Sequence, residues 1–225
     1  MQEWVVHGCA RICMEGRIHM ELMLIRHGKT KGNLKKRYIG RTDEALCRQG
    51  RDEICQYIQE HRYDDWQNSD LIFASPMLRC RQTAELIFPG RAVFVLPEYR
   101  ETDFGEFENK NYLELAENVH YRQWIDSNGT LPFPGGESRE EVRDRCIAGF
   151  HKMLEICDKA QAERVACVVH GGTIMQLLEA YGRPEKSFYD YACENGGGYI
   201  CQVKREEGEF ICGTNMVEMY IRIRM

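Results

Sequence analysis

The 225-residue chain has no apolar run near the roughly 20 residues a membrane-crossing helix needs, and its first twenty residues lack the unbroken apolar core of a secretory signal. It has no basic excess: thirty Lys and Arg against thirty-five Asp and Glu leave a formal charge of -5. That sign argues against a nucleic-acid or membrane-surface binder. An anionic small molecule would need a locally basic pocket instead. No internal repeat is visible. The eleven cysteines form neither a Cys-x-x-Cys pair nor a Cys/His zinc spacing. Odd in number and scattered, they read as reduced thiols of a cytoplasmic protein. Cys9, Cys13 and His7 lie close together in sequence and make a metal site conceivable, but no metal or other cofactor is expected.

What the chain does have is one pattern used twice. Leu22-Met23-Leu24-Ile25 is an apolar run that suits a buried strand, and it ends in Arg26-His27-Gly28. Val165 to Val169 is a second such run, ending in His170-Gly171-Gly172 and followed by a helical pattern from Thr173 to Tyr181. In open α/β sheets ligands bind at the carboxyl ends of the strands, so adjacent strands would aim both imidazoles into one pocket. Gly28 would let the backbone approach a ligand closely. A lone histidine at a strand end is more often structural; the pair is what points to chemistry.

The remaining elements follow in order. Residues 1–19 read as an extension, with the folded core expected to begin at Met20. Residues 30–43 read as a loop over the strand ends, where Asn33 and Arg37 offer a neutral and a cationic donor. An amphipathic helix runs from Cys47 to His61, then a short strand Leu71 to Ala74, with Ser75-Pro76 expected as N-cap and first residue of the next helix. Arg79 falls in that helix's first turn, where a cation opposes the helix dipole unless an anion binds beside it. After a strand at Val93 to Val95, the acidic stretch 101–108 offers Glu101 and Asp103 as candidate general acids. Residues 112–130 look helical and aromatic, suggesting a cap around 106–135. Ser138 and Glu141 form a capping box that opens a long helix. A late antiparallel hairpin is expected at 198–204 and 209–212, with an edge strand in 217–225. Strands alternating with helices predict an α/β three-layer sandwich with a largely parallel central sheet.

The ordered set Arg26-His27-Gly28-Lys29-Thr30, Asn33, Ser75-Pro76-x-x-Arg79, Glu101-x-Asp103-Phe104-Gly105-x-x-Glu108, Pro134-Gly135-Gly136-Glu137-Ser138 and His170-Gly171-Gly172 resembles the histidine phosphatase superfamily, in its phosphoglycerate-mutase-like branch. The resemblance implies that His27 becomes a phosphohistidine and that Glu101 is the proton donor, leaving Asp103 structural. It implies that Arg26, Asn33, Arg79, His170 and the Gly171 backbone hold the phosphoryl group, with Arg37 assisting. It implies a phosphatase without a metal ion, similar to alpha-ribazole phosphatases, and a small phosphorylated metabolite as partner, with a homodimer as a compatible assembly. A mutase, a phospho-ligand binder without activity and a metal-dependent hydrolase are the rival readings. Two positions depart from the family pattern. Cys47 replaces a Ser or Thr cap, and Asn109 stands where glycine is common.

Overall fold

Successive side chains of a strand point to opposite faces, and the first strand shows why the sheet is covered on both. Leu22 and Leu24 enter one core with Phe150, Met153 and Leu177, whereas Met23 and Ile25 enter another with Ile54, Ala84 and Ile87. The computed structural model describes residues 19–206 and 209–218. Six strands, β1 (His19–Arg26), β2 (Leu71–Ala74), β3 (Phe94–Val95), β4 (Arg164–Val169), β5 (Gly198–Glu206) and β6 (Glu209–Glu218), form one sheet in the order β3-β2-β4-β1-β5-β6. The pairs from β3 to β1 are parallel; β5 pairs antiparallel with β1 and with β6. The helices are α1 (Lys31–Leu34), α2 (Arg48–Gln59), α3 (Leu78–Ile87), α4 (Val119–Asp126), α5 (Arg139–Ala160) and α6 (Gly171–Tyr181). Residues of α5 and α6 cover one face and residues of α2 and α3 the other, the three-layer arrangement expected from the sequence.

Among the described residues no helix is long and apolar enough to cross a membrane, and Cys47, Cys55, Cys80, Cys146, Cys157 and Cys167 are free thiols. Residues 1–18, with Cys9, Cys13 and His7, and 219–225 of the expected edge strand lie outside the described residues.

Several local expectations are corrected. The loop at 30–43 contains α1, which Thr30 and Asn33 close with a reciprocal capping box. The helix expected over 112–130 is confined to α4, capped by Asn118. Residues 104–133 instead carry a small aromatic core of Phe107, Leu115 and Tyr121, with Tyr38, Phe104, Trp124 and Phe133 packed on it. Ser75 does not cap α3. That helix starts at Leu78, whose N–H donates to Asp43 Oδ1 at 2.6 Å, so a carboxylate from a distant loop does the work of a cap. Cys47 does cap α2, accepting from the Gly50 N–H through Sγ at 3.3 Å. Gly28 serves helix packing rather than ligand approach: a Cβ there would stand 3.0 Å from Ile54 Cγ1 and 3.2 Å from Gly50 O.

Candidate active site

The site begins with strand register. Arg26 is level with Val169 across the β1–β4 ladder, so His27 and His170 leave neighbouring parallel strands at the same end. Their ring centres lie 5.2 Å apart, edge to face. His27 Nδ1 is 2.7 Å from Gly28 O. A carbonyl can only accept, so Nδ1 carries the hydrogen and Nε2 keeps its lone pair. Burial, reinforced by the guanidinium of Arg79, holds His27 well below the ordinary imidazole value. The ring is therefore neutral near pH 7.

His170 is fully buried, and burial together with Arg79 likewise depresses its pKa. Its Nε2 lies 2.7 Å from Ser75 Oγ, and Ser75 Oγ also accepts from the Met77 N–H at 3.3 Å. The Ser75 hydrogen is then free to point at Nε2, which places the His170 hydrogen on Nδ1. Nδ1 is 3.3 Å from Glu101 Oε2. Burial raises the Glu101 pKa above the ordinary carboxyl value against the pull of Arg79, favouring the protonated acid. Asp103, the other candidate acid, is turned away: it accepts from Arg41 at 3.1 Å and from the Gly105 N–H at 3.0 Å.

Arg79 is 1 % exposed, and its charge is held by carbonyls rather than by a carboxylate. Nη1 donates to Thr42 O at 3.0 Å, and Nη2 to Gly40 O and Ile39 O at 3.2 and 3.3 Å. Two of its five N–H bonds remain for an anion. The carbonyls are fixed in turn by Glu108, which accepts from the N–H groups of Gly40 and Thr42 at 3.0 and 2.9 Å and from the Thr42 hydroxyl at 2.6 Å. Gly40 is required there, since a Cβ would fall 1.9 Å from Thr102 O. Arg26 donates through Nη1 to Cys193 O at 2.6 Å, while its Nε is buried without a partner. Gly171 opens α6 beside it: a Cβ there would be 3.4 Å from Arg26 Nε.

Asn33 and Arg37 line the cleft above this floor. Asn33 Oδ1 accepts from Thr30, leaving its amide nitrogen as donor. Arg37 is already engaged with Glu114 at 2.6 Å and with Asn109 O at 2.7 Å. Asn109 itself adopts φ 57°, a left-handed backbone that glycine and asparagine accept most readily.

The sequence model of the histidine phosphatase superfamily (branch 1) matches residues 22–214. The chain belongs to that superfamily. Among curated relatives, phosphoglycerate mutase-like protein 4 of Arabidopsis thaliana is 29% identical over 167 residues, covering 72% of this chain and 70% of the relative. The uncharacterized phosphatase PhoE of Bacillus subtilis is 29% identical over 161 residues, covering 69% and 74%. The alpha-ribazole phosphatase of Shigella flexneri shares the fold with a TM-score of 0.73 at 22% identity, covering 92% of this chain and all of that one. A phosphoserine phosphatase of Entamoeba histolytica, solved with 3-phosphoglyceric acid, superposes with a TM-score of 0.68 at 24% identity, covering 88% and 96%.

Ser75, Asp43 and Glu108 support this site, although Ser75 and Glu108 entered the sequence reading as motif positions without a role in it and Asp43 carried no expectation. Ser75 was readable as a neighbour of His170 from the strand order alone, since β2 and β4 pair in parallel. Folding also creates what the sequence spacing hides: His27, Glu101 and His170 each bring a potential metal ligand atom within 4.8 Å of the others. The charges of Arg79 and Arg26 act on all three groups and disfavour a cation among them.

Proposed function

We propose that the protein is a metal-independent phosphomonoesterase that works through a phosphohistidine on His27. The observation that carries this reading is the buried imidazole of His27, oriented by Gly28 O and set among two guanidiniums, His170 and Glu101, whose carboxyl burial pushes toward the protonated form. His27 Nε2 attacks phosphorus, the bond to the leaving oxygen breaks, and Glu101 supplies the proton that oxygen needs. Water then attacks the phosphohistidine, Glu101 takes a proton from it, and inorganic phosphate leaves with His27 restored. Arg79, Arg26, Asn33, the Gly171 N–H and the His170 Nδ1 hydrogen stabilise charge on the phosphoryl oxygens, which in a loose transition state is most of the catalysis. Arg37 assists from the rim.

The substrate is a small phosphorylated metabolite, with alpha-ribazole 5'-phosphate as the leading candidate; the Shigella enzyme's fold and the Bacillus phosphatase support hydrolysis. Phosphoryl exchange is the second reading, favoured by the phosphoglycerate mutase-like relative. The test is turnover of an aryl phosphate in excess chelator. His27-dependent release of phosphate is expected. Activity that vanishes with chelator and returns with a divalent cation would favour the metal reading, and exchange between phosphoglycerates exceeding release would favour the mutase.

A further inference from the structure

The cleft, from Arg26, Glu101 and Gly171 at its floor to the aromatic wall above, holds about 330 Å3. That is at the lower end of the volumes that enclose an organic ligand of ring-bearing size. Tyr38, Phe104, Trp124, Phe133, Phe188 and Tyr189 line it. Trp124 and Phe133 stack with centres 5.2 Å apart, and Phe104 meets Phe133 edge-on at 5.0 Å. The wall therefore presents ring faces and edges in fixed orientation.

Three polar atoms of residues in this wall are withdrawn from water without a partner: the Trp124 Nε1 and Arg37 Nε donors and the Gln176 Oε1 acceptor. Gln176 is 3 % exposed and lines the cleft. Buried polar atoms are ordinarily paired, and a ligand group that pairs them removes the penalty of leaving them bare.

The charges of the wall point the same way. Arg37 is neutralised by Glu114 at 2.6 Å, and Arg139 by both oxygens of Glu179 at 2.6 and 2.8 Å while it lies over the Phe188 ring. Both wall cations thus have a carboxylate counter-charge, with only the buried Nε of Arg37 left unpaired. A substrate carrying a carboxylate near its phosphate finds no cation in the wall without a counter-charge, whereas an uncharged ring finds stacking surface, donors and an acceptor.

We propose that this wall is a leaving-group subsite for an uncharged heteroaromatic ring on the phosphorylated alcohol, as in a nucleoside 5'-phosphate. Trp124 Nε1 donates to a ring acceptor, and Gln176 Oε1 accepts from a ring or exocyclic N–H. The proposal rests on the phosphomonoesterase reading and names its substrate class. Gln176 and Trp124 are its specificity-determining residues.

The test compares kcat/KM for adenosine 5'-phosphate and alpha-ribazole 5'-phosphate with that for 3-phosphoglycerate and 2-glycerophosphate. At least one ring-bearing ester is expected to exceed 3-phosphoglycerate by about 100-fold. In Gln176→Leu and Trp124→Phe the ratio of ring-bearing ester to 2-glycerophosphate is expected to fall by about tenfold, mostly through KM. Adenosine, which lacks the phosphate, is expected to inhibit the wild-type enzyme competitively, a readout that does not depend on the variants folding. His27-dependent hydrolysis with equal or better use of 3-phosphoglycerate, or with ratios untouched by both variants, overturns the subsite and leaves the phosphatase reading standing. Absence of His27-dependent release from every ester overturns the phosphatase reading, and the subsite with it.

Discussion

The floor of the cleft and its wall are built on different terms. On the floor, His27, Arg79 and His170 are 3 %, 1 % and 0 % exposed, and each is held before any ligand arrives, His27 by the neighbouring Gly28 carbonyl and the other two by groups from distant segments. On the wall the rings are only partly covered, the cations are paired with carboxylates, and Trp124 and Gln176 keep unpartnered atoms. A reacting centre gains most from charges fixed in advance, because nothing has to reorganise at the moment of bond breaking. A recognition surface can take its last partners from the ligand. The comparison teaches that the chemistry resides in the sheet ends and the selectivity in the aromatic segment 104–133 with Gln176 and residues 188–189.

The largest effect should come from the floor. His27→Ala is expected to lower aryl phosphate turnover by about 10^4-fold or more while leaving the melting temperature within a few degrees. Retained turnover would break the distinction at once. Glu101→Gln should cost about 10^2- to 10^4-fold on an alkyl phosphate, whose leaving oxygen needs a proton. On nitrophenyl phosphate, whose leaving group needs none, the variant should instead show a burst followed by slow turnover, as unhydrolysed phosphoprotein accumulates. Equal losses on both esters without a burst would remove Glu101 from both proton transfers.

Glu108→Gln probes the floor from one residue further out. Glu108 touches no substrate; it holds the N–H groups of residues 40 and 42, whose carbonyls hold Arg79. About a tenfold loss in kcat/KM is expected, with weaker binding of inorganic phosphate and an unshifted pH profile. An unchanged phosphate affinity would show that Arg79 does not depend on this cradle.

The smallest effect is on stability and carries a sign. Glu101 has a folded pKa above its ordinary 4.5, so its buried carboxyl favours the folded state only while protonated. Ionisation at higher pH lowers stability relative to an uncharged amide. The melting temperature of Glu101→Gln should therefore exceed that of the wild type at pH 7, and the gap should close toward pH 4. His27 and His170 act oppositely: their depressed values mean that stability present above 6.5 is lost as pH falls below it, because the unfolded chain takes up those protons first. A melting curve of Glu101→Gln, in which the opposing carboxyl is absent, that stays flat between pH 7 and pH 5 would contradict their buried, neutral state.

How much was legible from sequence divides along the same line. The two apolar runs ending in His-Gly specified adjacent strands and the convergence of their imidazoles, and the Ser138–Glu141 box marked the start of α5. These are local signals, and their partners are the chain's own backbone. Ser75 was misread because Ser-Pro before a helix is the usual cap grammar, whereas here the hydroxyl is committed to His170 across 95 residues. The cap of α3 comes from Asp43, 35 residues upstream, and the Arg79 cradle from Glu108, 66 residues beyond Thr42. Pairings over such distances leave no periodic trace. The aromatic segment was overread as helix because its rings serve a side-chain core instead of an amphipathic face.

The central claim is that phosphorus is transferred to His27 Nε2. The direct measurement is rapid quenching under basic conditions during turnover of nitrophenyl phosphate in excess chelator, followed by mass spectrometric mapping of the phosphorylated peptide. The account predicts one acid-labile, base-stable phosphate on His27, formed at least as fast as steady-state release and more abundant in Glu101→Gln. Full turnover with no phosphate on His27, or with the phosphate on another residue, would contradict it.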